Sequence, residues 1–230
     1  MSFGYTTKAR IFPTAIMAPP VLRVINVAIG AQTPFWLSSP SYLALFGKAT
    51  VMAAVVYLLS QISRFIGAEV VERVVTKKGG DFPTTRLLFP GNEGLSFALR
   101  NAVSKKAEQL FGTALPTQTS SETEPETRRT IVDLVARMRG RTRNHKLLLQ
   151  HNIEYGFWRN LIGAAPITFL ASIACVFFHV AGLLGDTIYK MSILYAASSV
   201  LLMGASPLIL GRLSVRYAHT LFEAFLDVRG

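Results

Sequence analysis

Cysteine is nearly absent from this chain: Cys175 is the one such residue among 230. No disulfide can form within the chain, and no cysteine-based metal site is possible. Acid is scarce too, with 13 Asp and Glu against 24 Lys and Arg, a net charge of +11. Residues 1–66 hold no acid at all. Two long stretches, Ile162–Leu184 and Met191–Gly211, hold no Asp, Glu, Lys or Arg. Also missing are a Ser/His/Asp order, a Walker loop, a pair of carboxylates suited to acid–base work and a zinc motif. No catalytic residue, cofactor or metal ligand is therefore assigned. The trio His145, His151 and Glu154 matches no common metal-binding spacing.

The two uncharged runs are 23 and 21 residues long. A bilayer core about 30 Å thick needs about 20 apolar helical residues, so each run can cross once. Joined by the short link Gly185–Lys190, they predict a transmembrane helical hairpin, because lipid leaves backbone groups no partners but their own. Tyr42–Arg64 (span 42–64) is a further crossing, with Lys48 near one end and Arg64 at the other. Residues 11–38 are apolar but irregular. Pro19-Pro20 breaks a regular helix, and Arg23 and Asn26 would fall near the bilayer middle. The segment crosses as a broken helix or dips in and returns. Pro13, Pro19, Pro20 and Arg23 also interrupt the apolar run that a signal peptide would need. The expected fold class is all-α: an integral membrane protein of two helical membrane hairpins, three to four spans, in residues 1–66 and 161–230. A helical block, residues 67–160, joins them.

That block carries fifteen Lys and Arg against ten Asp and Glu. Ile66–Thr76 continues the preceding helix, and Lys77-Lys78-Gly79-Gly80 stops it. Asn92–Phe111 and Arg128–Gln150 have helical apolar periodicity; in the second, Ile131, Leu134, Val135 and Met138 share a face while Arg137, Arg139, Arg141 and Arg143 point away. Residues 113–126, rich in Thr, Ser, Glu and Pro, read as a linker. The loop Thr33–Ser41 is uncharged and Gly185–Lys190 holds one base. Basic loops stay on the cytoplasmic side, so the block is expected there.

Two stretches are unusually specified. Gly79-Gly80-Asp81-Phe82-Pro83-Thr84-Thr85-Arg86 offers backbone N–H groups, hydroxyls and, with Lys77 and Lys78, three cations suited to an anion or lipid headgroup. The plainer reading is a helix stop and a rigid turn. Asn152, Tyr155-Gly156-Phe157-Trp158-Arg159-Asn160 places aromatics and a cation where the chain enters lipid. It reads as an aromatic belt with Arg159 as headgroup anchor. A sharper alternative has Tyr155, Arg159 and Asn160 docking on the first stretch. Together the double glycine with Pro-Thr-Thr and the Asn-x-x-Tyr-Gly-Phe-x-Arg-Asn pattern resemble a bacterial family of uncharacterised membrane proteins, over roughly residues 60–165. The resemblance implies an inner-membrane, multi-pass topology and no particular activity. At Phe89-Pro90 the chain departs from the basic polar stretch of that family, which puts a ligand role for this loop in doubt.

Small residues line the last hairpin, among them Ala197 and Gly204, and small faces favour close helix contact in lipid. They pack within this chain or between copies. His179 sits among Phe177, Phe178 and Val180 as a functional or helix-bonding candidate. The expected function is a non-enzymatic membrane protein that assembles through its helices, as a homo-oligomer or in a larger complex, and receives a partner or signal on the cytoplasmic block. Membrane lipids are its other partners. The alternatives are a membrane enzyme or transporter for an anionic lipid or nucleotide, and a membrane anchor tethering nucleic acid, for which only charge speaks.

Overall fold

The computed structural model describes residues 3–30, 42–75 and 82–228. Among these every regular element is helical. In order they are α1 (Phe3–Thr6), a π turn (Thr7–Ile11), α2 (Phe12–Met17), α3 (Pro19–Gly30), α4 (Tyr42–Ile66), a second π turn (Gly67–Val71) and α5 (Glu72–Val75). Then come α6 (Pro83–Arg86), α7 (Phe97–Phe111), α8 (Glu124–Arg141), α9 (Lys146–Val180) and α10 (Asp186–Leu226). Three helices are long and apolar enough to cross a bilayer, and the pair Gly4–Met17 and Pro19–Ala28, bent by 57°, makes up to four. These features are compatible with a multi-pass membrane protein.

The chain forms two compact units. The first comprises Met1–Val75 and Gly156–Ile209, the second Thr76–Tyr155 and Leu210–Gly230.

The first unit inverts the usual distribution of polarity. Leu170, Phe177, Leu201 and Leu208 are 65–72% exposed, while Ser60, Thr168 and Ser199 are buried with their hydroxyls bonded to backbone carbonyls. Hydroxyls inside and large apolar groups outside suit a hydrocarbon solvent, where burying leucine gains nothing and an unpaired polar group is costly. Pro207, inside α10, is accommodated by a hydroxyl. Pro207 removes the N–H that would bond Met203 O, and the Ser206 hydroxyl donates to that carbonyl at 2.8 Å instead.

The hairpin turn is shorter and earlier than expected. α9 ends at Val180, the link is residues 181–185, and Asp186–Lys190 already belongs to α10. Gly182 supplies the left-handed conformation (φ 76°) that lets Leu183 N–H reach Phe178 O and its own N–H reach His179 O, both at 2.8 Å. His179 Nδ1 lies 2.8 Å from Leu184 O, and the ring stacks on Tyr189 with centroids 4.5 Å apart. This histidine closes the turn.

The second unit has an ordinary apolar core. Leu88, Val103, Ile131, Leu134 and Met138 pack with Leu221, Phe222 and Phe225. The latter three come from the end of α10, so the short tail expected after residue 211 is a helix that builds this core. The expected helix Arg128–Gln150 is divided. Thr142 turns its hydroxyl back to Met138 O (2.9 Å), α8 stops, and His145 Nδ1 accepts the Leu148 N–H (3.4 Å) at the start of α9. α7 begins five residues later than expected, where the Ser96 hydroxyl accepts the Leu99 N–H.

Candidate functional site

The most specified region of the first unit is the seam between α9 and the irregular N-terminal segment. A helical carbonyl loses its donor when a proline stands four residues on. Pro13 does this to Ala9, and the turn around Ala9 winds as a π turn. Asn160 Nδ2 donates to Ala9 O at 2.6 Å. Farther along, the Thr168 hydroxyl donates to Met17 O at 2.8 Å, beside the break before Pro19-Pro20. Cys175 Sγ donates to Pro20 O at 3.6 Å. One stripe of α9 thus bonds three carbonyls of the N-terminal segment, one of them orphaned by Pro13, and the segment runs parallel to α9. The bent helix pair is held by polar residues of a later helix.

α4 crosses the other side of α9 at backbone contact. A Cβ at Gly163 would lie 2.2 Å from Ser63 O and 2.8 Å from Gly67 N, and one at Gly67 would lie 2.8 Å from Arg159 O. Only glycine fits this approach. The π turn then sets the next contact. In an α-helix, residues five apart are about 140° apart around the axis. Here Glu72 N–H bonds Gly67 O, which stacks Glu72 above Gly67 on the side facing α9. Its carboxylate meets Arg159 Nη1 at 3.2 Å, with both side chains about four-fifths buried. Arg159, expected as a headgroup anchor or as a donor to the glycine loop, meets a carboxylate 87 residues earlier. Phe157 and Trp158 pack on the cluster of Met17, Leu161, Ala164 and Ala165, and Phe157 also faces Phe12.

Lys77, Lys78, Gly79 and Gly80 lie outside the described residues. The rest of that stretch is in the second unit. Pro83–Arg86 winds one helical turn with Thr84 and Thr85 buried and Arg86 exposed. Arg139 Nη2 donates to the Thr84 hydroxyl at 3.2 Å, and its guanidinium lies 5.8 Å from the ring centroids of both Phe82 and Tyr217. Tyr155 meets Phe82 edge-on, centroids 5.9 Å apart. Tyr155 thus does touch the stretch, through a ring. Arg137 and Arg128 lie over Phe111 and Phe89, so part of the basic excess serves as rim to the core. Arg100 donates to Phe89 O (2.6 Å) and Pro116 O (2.9 Å), and burial pushes its guanidinium below the usual value.

Ala197 and Gly204 of α10 are exposed, and a Cβ at Gly204 would meet nothing within 4 Å. This face therefore does not pack within the described part of the chain. His145 caps α9, and His151 Nδ1 lies 3.6 Å from Glu154. Among the described residues no three His, Cys, Asp or Glu side chains gather as a metal site.

Sequence reasoning named Arg159 and Asn160 but missed Glu72 and Ala9 as their partners. The one legible signal was Pro13, four residues after Ala9. It also missed Arg139. Arg23, expected near the bilayer middle, lies level with Thr187 in the first turn of α10. Comparisons with protein-family models, curated proteins and solved structures return no match.

Proposed function

We propose that the chain is a non-enzymatic, multi-pass membrane protein that assembles through α10 and presents the basic second unit to a partner or signal. In this reading residues 76–155 lie on the cytoplasmic side of a bacterial inner membrane, as the basic excess and the family resemblance imply. The observation that carries the assembly is the outward face of α10. Ala197 and Gly204 lie on it between Leu194, Leu201 and Leu208, at the i, i+3, i+4 and i+7 spacing of one helical face, with none of the chain's described residues covering Gly204. A small-residue hollow between leucines lets a second helix come close enough for dispersion contact, the main attraction between helices in lipid. The enzyme reading draws no support from the anion stretch, because Thr84 and Thr85 are buried and Arg159 is engaged with Glu72.

The test is the mass of the detergent-extracted protein. The parent should run as a multiple of 25.2 kDa. Gly204→Leu and Ala197→Leu should shift it toward the single-chain mass without lowering thermal stability. A single-chain parent, or variants of unchanged mass, would remove the assembly reading.

A further inference from the structure

A cleft runs between the bent N-terminal helices and α10. At the end nearest the 181–185 link it measures about 290 Å³, with Arg23, Thr187, Ser192 and Tyr195 over Pro19 and Pro20. Its continuation, about 250 Å³, is walled by Ile16, Met17, Leu161, Leu194 and Leu202, with Ser198 as its remaining hydroxyl. Met191 and Tyr195 line both parts, so the two form one channel along α10. The cleft exists because the helix bends by 57° at Ala18, carrying α3 off the line of α2.

The two ends differ in chemistry. At the first, the Arg23 guanidinium is exposed and forms no ion pair among the described residues. Thr187 and Tyr195 line the same end, while the Ser192 hydroxyl is spent on Ile188 O at 2.8 Å. Asp186 sits 3.7 Å from His179, and Lys190 lies about 110° around α10 from the middle of the cleft face. Neither lines the cleft. The second part has no charged lining residue. From Thr187 to Leu202 the cleft extends about 22 Å along the helix, more than half the thickness of a bilayer core of about 30 Å. Its wall is open to the surroundings, since Met191 and Leu194 are about half exposed.

A cation at one end and an uncharged groove longer than one leaflet match a molecule with an anionic head and an acyl tail. A soluble anion satisfies only the first end, and a neutral lipid only the second. Joined, the two volumes fall within the range of small-molecule sites, about 300–1,000 Å³. We propose that this cleft is a binding site for one acyl chain of an anionic lipid, its headgroup on Arg23, Thr187 and Tyr195 and its tail along Met191, Leu194 and Leu202. The site is separate from the outward Ala197–Gly204 face and does not depend on assembly.

The test is native mass spectrometry of the full-length protein in detergent with phosphatidylglycerol, with phosphatidylcholine of the same chains, and with palmitate. The parent should prefer phosphatidylglycerol over phosphatidylcholine by about fivefold, the effect of one basic group at an anionic surface. Arg23→Gln should abolish that preference and Arg23→Lys keep it. Ser198→Phe, which fills the tail groove, should lower occupancy by both phospholipids. Displacement of phosphatidylglycerol by palmitate assigns the site to a single-chain carboxylate; resistance to it assigns the phospholipid. If Arg23→Gln fails to fold, the preference of the parent should still fall as salt rises. Equal binding of the two phospholipids by the parent, an undiminished preference in folded Arg23→Gln, or displacement of bound lipid by inorganic phosphate alone would overturn the proposal.

Discussion

Replacing Gly163 by alanine adds one methyl group to a helix, which elsewhere is favourable by about 1 kcal/mol. At this position the added carbon would sit 2.2 Å from Ser63 O, more than 1 Å short of the 3.4 Å at which ordinary contact begins. The opposing atoms, Ser63 O and Gly67 N and Cα, belong to backbone and have no rotamer to change. The clash is relieved only by moving α4 away from α9. Arg159 is one turn from Gly163, so the same movement lengthens its 3.2 Å contact with Glu72. Overpacking a tight contact costs about 1–3 kcal/mol, and here contact and ion pair suffer together, so the net loss should be about 2 kcal/mol. For a chain of this size that lowers the unfolding midpoint by roughly 4–8 °C. Cys175 supplies the assay. It is fully buried, so a thiol-reactive dye will report its exposure on heating the detergent-extracted protein. Gly204→Ala, with open space around it, should match or exceed the parent. A Gly163→Ala protein that unfolds no earlier than Gly204→Ala would refute the close crossing.

Three further outcomes are expected. Asn160→Ala should lose about 1–3 kcal/mol by stranding Ala9 O, and less in a Pro13→Ala background, where residue 13 regains an N–H for the same carbonyl; additive losses in thermal unfolding would separate the two residues. Arg159→Ala should lose a similar amount, with Arg159→Lys restoring only part because an ammonium lacks the planar fork; a lysine variant as stable as the parent would favour a headgroup anchor over the pair with Glu72. With Cys175 replaced, a cysteine at Thr187 should react with an impermeant reagent in right-side-out vesicles and one at Ser120 should not, and the reverse pattern would invert the proposed topology.

The apolar runs placed the long helices because hydropathy is a local property of the chain. Ile162–Leu184 and Met191–Gly211 fall almost wholly inside α9 and α10. Where a helix ends depends on single hydrogen bonds, so the break at Thr142–His145 was hidden inside a continuous amphipathic pattern. The end of α10 was hidden differently. Arg212 and Arg216 closed the uncharged run, yet Leu221, Phe222 and Phe225 behind them keep helical spacing and build a core. The site was half legible. Arg159 and Asn160 stand out as polar residues at the edge of an apolar run, but their partners lie 87 and 151 residues away. Nothing local to either residue points to them. The glycine pair Gly67 and Gly163 was equally silent, since each has a separate reading as a helix residue beside many other small ones.

The pairing of Ala9 with Asn160 has a consequence in time. Ala9 leaves the ribosome 151 residues before its donor, and Met17 leaves 151 residues before Thr168. At about 5–20 residues per second the interval is roughly 8–30 s. Throughout it the Ala9 carbonyl, orphaned by Pro13, lacks its donor, and in the proposed membrane setting such a group costs several kcal/mol. In the proposed membrane protein the segment therefore lacks the partners of its final place while it is the newest part of the chain. On that reading it locks into place only when α9, one of the last helices, arrives.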